Sequence, residues 1–239
     1  MKGYKMSEFT NKDIKENIKK SLGLESNDSQ LSESYVAQVK NFNLPTELLS
    51  SSNKRAHIAL YEGYVTEFNK ISAELDTVSR DDVNKNNSKF RSLKIDETYN
   101  ANAAYLHELY FANISDLHSE VAMDSLSYMR LSRDFGTFDD WQKDFMACCL
   151  SSRNGWACTV YNVWLQSYQN CVIDLHSDNV PIGVFPVIVL DMWEHSYYRD
   201  YLNNTKTYTV AMMKQFNWKV IESRIRKAEK IGQILRNVT

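Results

Sequence analysis

The chain has little of what interrupts a helix: seven glycines and three prolines in 239 residues. Proline removes a backbone donor and clashes with the preceding turn, and glycine costs a helix conformational entropy. A sequence poor in both favours long helices and uses tight turns sparingly, so a mostly helical chain is expected. It also lacks any run approaching the roughly 18 apolar residues that cross a bilayer. Its first segment, MKGYKMSEFTNKDIKENIKK, is charged and polar with no apolar signal core. No membrane partner and a cytoplasmic location are therefore expected. An excess of positive charge is missing too, because the formal net charge is -2 and the pI is near 6.2. That excludes the broad basic footprint of a nucleic-acid binder, though a local positive funnel around a small site is compatible with it. Cysteine is sparse: Cys148 and Cys149 are adjacent while Cys158 and Cys171 stand apart, matching neither a disulfide framework nor a paired CxxC zinc site. They read as reduced, mostly buried thiols.

What is present suffices for a core. Hydrophobic residues make up 43 % of the chain, enough for one medium domain or two small ones sharing an interface. Residues 1–43 are polar, with a short amphipathic stretch at Ile14, Ile18 and Leu22 followed by ESNDSQLSES, and read as an extension outside the core. From Arg55 onward, His57, Leu60, Tyr61, Tyr64, Phe68, Ile71 and Leu75 recur at the three-and-four spacing of one helical face, with Ser50 to Asn53 offering caps ahead of them. After the polar link DDVNKNNSK, a second helical pattern carries Tyr99, Ala103, Leu106, His107 and Tyr110. The two helices predict an antiparallel hairpin. From Leu117 to about Cys149 the pattern stays helical, interrupted at FGTFDD, where Gly136 marks a turn and Thr137 can cap the next helix. Beyond Gly155 the texture changes: WACTVYNVW, YQNCVIDLH and FPVIVLD are short, β-branched and aromatic, and predict three antiparallel strands. Helical spacing returns from Asn217 to about Leu235. The fold class is thus α+β: an extension over 1–43, a helical hairpin domain over 44–115, and a C-terminal α/β domain over 116–239 with its sheet flanked by helices.

The strongest local chemical signal is DMWEHSYYRDY, residues 191–201, directly after the apolar VIVL. Asp191 at a strand end and His195 four residues on can come to one side of a turn entering a helix and bind one metal. That spacing alone more often makes a structural hydrogen-bonded pair. The whole segment, however, resembles the DxWEHxYYxDY signature of the iron/manganese superoxide dismutases. YNANAAYLHELYF resembles that family's second-ligand helix, FGTFDDWQKDF its FGSFxxFxxxF segment, and NGWACTVY its GSGWxWLV strand. With NLPTELLS and FNWKVI, the matches run in the family's order over roughly residues 43–235.

The resemblance implies a superoxide dismutase with one Mn or Fe ion per subunit held by His57, His107, Asp191 and His195. His57 precedes Tyr64 by seven residues where the family interval is eight. Seven residues return a regular helix to nearly the same face, and eight do so when a π-bulge absorbs one, so the shorter interval implies a missing bulge. Tyr64 matches the family's Tyr at the mouth of the funnel to the metal. Ala103 stands where iron-type enzymes supply a solvent-binding Gln, which leaves His176, in the sheet link, as the candidate for that role. Trp156 and Trp193 match the aromatic walls of the pocket. Glu194 and Tyr198 match residues that cross the family's dimer interface, although Leu60 or Tyr61 replaces the His that usually receives the Tyr. His118 has no family counterpart and is expected to be solvated. The substrate implied is superoxide, drawn in by a cationic rim, with a homo-oligomer and an assembly partner for the N-terminal arm. The arm, the altered spacing and the missing interface His also fit a non-catalytic, virion-like structural subunit on the same fold. A zinc hydrolase is disfavoured because no HExxH-like element supplies both ligands and a base.

Overall fold

Hydroxyl side chains start the early helices. Ser50, Ser88, Ser125 and Thr137 each accept from a backbone N–H three residues on, at Asn53, Arg91, Tyr128 and Asp140. Each satisfies a donor that the first helical turn would otherwise leave unpaired. In a computed structural model, which describes residues 36–114 and 120–236, these caps open α1 (Ser51–Thr77), α2 (Lys89–Asn113), α3 (Leu126–Phe135) and α4 (Phe138–Ser151). The break between α3 and α4 lies at Gly136, whose φ of 95° suits glycine. Asp139 and Asp140 fill the first turn of α4, where carboxylates oppose the positive end of the helix dipole.

The three apolar runs become β1 (Gly155–Asn162), β2 (Ser167–Asp174) and β3 (Val184–Asp191), antiparallel in the order β2-β1-β3. The central strand is the most buried, as hydrogen bonding and packing on both sides require. Pro186 is confined to the edge strand β3, and a register shift between Thr159 and Val160 lies opposite it. Three helices follow: α5 (Glu194–Tyr201), α6 (Thr205–Met213) and α7 (Trp218–Arg236).

The hairpin and the sheet pack as one body. α1 buries His57, Tyr61, Val65, Phe68, Ile71 and Leu75 along the predicted face. Arg224 on α7 ties three elements, donating to Asn113 Oδ1 at 2.9 Å, Leu109 O at 2.8 Å and Val187 O at 3.3 Å. The end of the presumed extension also lies on α1. Asn69 exchanges hydrogen bonds with the backbone of Ala37 at 2.6 and 2.8 Å, and Phe42 sits edge-on to Tyr61 with ring centroids 5.6 Å apart. The amphipathic stretch at Ile14, Ile18 and Leu22, and His118, lie outside the described residues.

Candidate metal centre

The sequence separates the site's residues widely, and each element delivers one of them for a local reason. α1 is α-helical throughout, without a π-turn, so His57 and Tyr64 share a face. Both rings meet His107 on α2, with centroids 5.1 and 5.3 Å away. Asp191 is the last residue of β3, and the chain turns at once into α5, which brings His195 back against it.

The resulting cluster is tight. His57 Nε2 is 3.1 Å from Asp191 Oδ2, His195 Nε2 3.2 Å and His107 Nε2 3.7 Å. One donor atom from each of the four residues lies within 4.8 Å of all the others. His57, His107 and Asp191 are buried, and the His195 side chain keeps 25 % exposure. The donor set suits a metal on its own chemistry. His107 Nδ1 lies 2.7 Å from Ala103 O, and since a carbonyl only accepts, Nδ1 carries the hydrogen. That leaves a lone pair on Nε2, a buried atom without a hydrogen-bond partner among the described residues. A desolvated lone pair aimed at a carboxylate is costly unless a cation or proton lies between them. Asp191 Oδ1 accepts from the Trp193 backbone N–H at 2.8 Å, which orients Oδ2 toward the imidazoles.

Electrostatics favour neutral imidazoles around one anion. Burial, only partly offset by Asp191, holds His57 below the ordinary histidine range. Burial, with His57 adding to it, lowers His107 to about 3. For Asp191 burial acts upward, but His195 and His57 outweigh it and hold the carboxyl well below the usual range. Neutral imidazoles at His57 and His107, with His195 and one carboxylate, make a donor set that suits Fe or Mn.

Beside the cluster stands a chain of hydrogen bonds. Trp156 Nε1–H donates to His176 Nδ1 at 3.0 Å, which assigns the hydrogen of a neutral His176 to Nε2, and this nitrogen lies 3.1 Å from the Tyr64 hydroxyl. Burial lowers His176 to about 4, so it is neutral near pH 7. Burial, reinforced by Tyr99 and Asp191, raises Tyr64, which keeps its proton. Trp193 stacks between His176 and His195, at 5.0 and 5.7 Å, and Trp156 meets His107 edge-on at 4.9 Å. A cleft of about 350 Å³ bounded by Leu60, Gly63, Tyr64, Glu67 and Asn100 opens at Tyr64. Glu67 is the charged residue among those that bound it.

Several supporting residues carried no signal in the sequence. Tyr208 donates to Asp191 O at 2.9 Å and lies 3.2 Å from the Tyr110 hydroxyl. Ser196 Oγ donates to the same Asp191 carbonyl at 3.0 Å. Asn102 Nδ2 holds the His176 carbonyl at 3.0 Å, and Asn53 Nδ2 reaches Ser196 O at 3.0 Å. None stands at a diagnostic spacing, because each partner lies on another element or inside a short turn. Of Leu60 and Tyr61, the two residues at the place of the missing interface His, Tyr61 is buried and donates to Glu108 at 3.0 Å. Glu194 and Tyr198 are exposed on α5.

Residues 125–224 match the C-terminal domain of iron/manganese superoxide dismutases. The chain is 32 % identical over 206 residues to a protein named superoxide dismutase [Fe] from Aquifex aeolicus (strain VF5), covering 84 % of this chain and 96 % of that one. A superoxide dismutase [Fe] from Aquifex pyrophilus is 32 % identical over 182 residues, 75 % of this chain and 84 % of the relative. Superoxide dismutase [Mn] 1 of Halobacterium salinarum (strain ATCC 700922 / JCM 11081 / NRC-1) is 28 % identical over 172 residues, 72 % and 84 %. With its four donors converging as described and its match to these relatives over most of its length, the chain belongs to the iron/manganese superoxide dismutase family.

Proposed function

We infer that the chain disproportionates superoxide to oxygen and hydrogen peroxide at one iron or manganese ion per subunit, held by His57 Nε2, His107 Nε2, Asp191 Oδ2 and His195 Nε2. The observation that carries this reading is the buried, unpartnered lone pair of His107 Nε2 facing Asp191 and two further imidazoles. The metal, when bound, supplies one-electron redox chemistry between adjacent oxidation states. Superoxide is consumed twice: one molecule loses an electron to become oxygen, and a second gains an electron and two protons to become hydrogen peroxide.

The protein's share is orientation, exclusion of water and proton supply. Trp156 and Trp193 wall the donors, and Asp191 is held from its backbone by Tyr208 and Ser196 and from its side chain by the Trp193 N–H. Because His176 donates its Nε2 hydrogen to the Tyr64 oxygen, the Tyr64 O–H is directed away from His176, toward the Tyr99 hydroxyl with which it shares a hydrogen bond, and its raised pKa keeps it a donor rather than a phenolate. Tyr64 therefore acts as the proton donor at the cleft, with His176 setting the direction of its hydroxyl.

The same reading divides the chain into an extension over 1–43, a hairpin over 44–115 that supplies two ligands, and a C-terminal part over 116–239 that supplies the other two. It gives a homo-oligomer whose interface includes Glu194 and Tyr198, a cytoplasmic location, and an N-terminal arm that contacts an assembly partner. Among the described residues no helix is long and apolar enough to cross a membrane. The structural-subunit alternative is not supported, since the matched relatives are named as enzymes and a scaffold requires none of the four clustered donors. Metal analysis of the purified protein alongside a superoxide-consumption assay tests the assignment. Stoichiometric iron or manganese with activity proportional to occupancy is expected, and a chain that takes up neither metal contradicts it.

A further inference from the structure

Away from the metal cluster, the sheet brings two thiols together. β1 and β2 set Cys158 directly opposite Cys171, and directly opposite residues of an antiparallel pair project from the same face. The Leu175 N–H donates to Asn154 O at 2.7 Å, which makes 154/175 a hydrogen-bonded pair. Counting in steps of two along the register, 158/171 is another. Such pairs hold their Cα atoms about 5.5 Å apart, inside the roughly 4.4–6.8 Å that a disulfide spans. Cys158 is fully buried and Cys171 is partly exposed, so one sulphur is reachable from solvent and the other waits behind it.

We propose that Cys171 and Cys158 are a peroxide-oxidised pair that closes a reversible cross-strand disulfide. The two sulphurs already interact. Their interaction lowers the Cys171 thiol from its ordinary value and raises the Cys158 thiol, with burial acting upward at both. Cys148 and Cys149 are poorer reactants. They are neighbours on α4, where successive side chains diverge by about 100°, and burial pushes the Cys148 thiol up to about 11 and raises Cys149 as well.

The oxidant is hydrogen peroxide, and naming the chain's own turnover as its source rests on the dismutase reading above. The Cys171 thiolate attacks one peroxide oxygen. An S–O bond forms, the O–O bond breaks, and the departing hydroxide takes up a proton to leave as water, giving a sulfenic acid. The Cys158 sulphur then attacks the Cys171 sulphur. The S–O bond breaks, and the thiol's proton leaves with the hydroxide as a second water. Two thiols are oxidised by two electrons in all, and one peroxide is reduced to two waters. Cross-strand Cβ atoms stand about 4.5–5.5 Å apart, whereas a disulfide prefers roughly 3.5–4.5 Å, so the ladder must draw in by about 1 Å. A bond strained in this way is readily reduced, which is why it is reversible.

The experiment uses the full-length, metal-loaded protein treated with a few equivalents of hydrogen peroxide, alkylated in denaturant and mapped without reduction. The expected result is a linked peptide joining Cys158 to Cys171, reopened by dithiothreitol, with Cys148 and Cys149 still alkylatable. In Cys158→Ser, dimedone should trap a sulfenic acid at Cys171, and in Cys171→Ser the buried Cys158 should survive untouched. The proposal is overturned if both cysteines of the folded wild-type protein remain alkylatable under conditions that oxidise the unfolded chain, or if Cys171 links instead to Cys148. Added peroxide tests the pair by itself. The dismutase reading is tested separately by metal content and superoxide consumption, so its failure leaves the peroxide-treated pair standing, and failure of the pair leaves the dismutase reading standing.

Discussion

Replacing His57 with alanine separates a ligand from a packing residue. The His57 ring sits 5.0–5.2 Å from those of His195, Phe111 and Tyr110, its Nε2 is 3.1 Å from Asp191, and its Nδ1 is buried without a partner among the described residues. Deleting a buried ring of this kind costs roughly 3–5 kcal/mol through lost packing. Removing the unsatisfied Nδ1 returns about 1–3 kcal/mol of that. The net loss of fold stability is then of the order of 2 kcal/mol, a fall in Tm of roughly 4–8 °C for a chain of this size. The effect on metal binding is much larger in proportion. If the 10–16 kcal/mol typical of a structural four-ligand site is shared among its donors, one imidazole contributes roughly 3 kcal/mol, or more than 100-fold in affinity.

The expected phenotype is therefore a folded protein that loses its metal on dialysis against a mild chelator and loses superoxide consumption in step with it. Phe111→Leu is the control, because Phe111 packs against His57 and His107 and offers no donor. It should show a comparable drop in Tm with metal and activity retained. A His57→Ala protein that keeps full metal content and full activity after dialysis would refute the reasoning, leaving His107, Asp191 and His195 as the donors and His57 as core packing.

Three further outcomes follow from the same geometry. Asp191→Ala removes the one anion among the donors and should abolish metal retention, which metal analysis of the purified variant checks. Tyr64→Phe should keep metal content near the wild-type level while slowing turnover by roughly 100-fold, the low end of what a positioned proton donor contributes. An unchanged rate at saturating superoxide would remove Tyr64 from the proton path. In the metal-free protein, His57 and His107 have folded pKa values below their unfolded value of 6.5, so the unfolded state binds the extra protons at acid pH. Their contribution to stability is fully present above about pH 6.5 and falls by up to ~1.4 kcal/mol per pH unit for each group below it. For His107 the loss continues to about pH 3. Denaturant midpoints measured from pH 7.5 to 4.5 should decline with that onset, and a flat profile contradicts neutral burial of these rings.

How much of this was legible in the sequence depends on whether the information was local. Helices α1, α2 and α7 and the three strands followed from periodicity, caps and β-branched runs, since each pattern is complete within its own segment. The ends of the strands were less legible. Val163 and Trp164 continue the apolar texture of β1 but fall in the turn before β2, and Leu175 takes a positive φ of 53° just after β2. Hydrophobicity marks burial there and not pairing. The eight residues before Leu44 were grouped with the polar segment ahead of them, yet half of them are apolar, and they attach to α1 through the Phe42 ring and through backbone groups held by Asn69.

The site divides along the same line. Spacing made Asp191 and His195 a candidate pair and no more. The longer resemblance supplied the other two histidines, and only the structure puts one donor atom of each within 4.8 Å of the rest. The seven-residue interval from His57 to Tyr64 gains a physical meaning once α1 is seen to run without a π-turn. Both side chains must then lie along one stripe, so the helix that carries the candidate donor His57 also carries the hydroxyl hydrogen-bonded to His176. What no local pattern could reveal is the support around Asp191. Tyr208, 17 residues away, donates to its carbonyl and joins the Tyr110 hydroxyl across α2, so the carboxylate is fixed from the backbone before any cation arrives. Such preorganisation depends on three elements meeting, and it becomes visible only when they do.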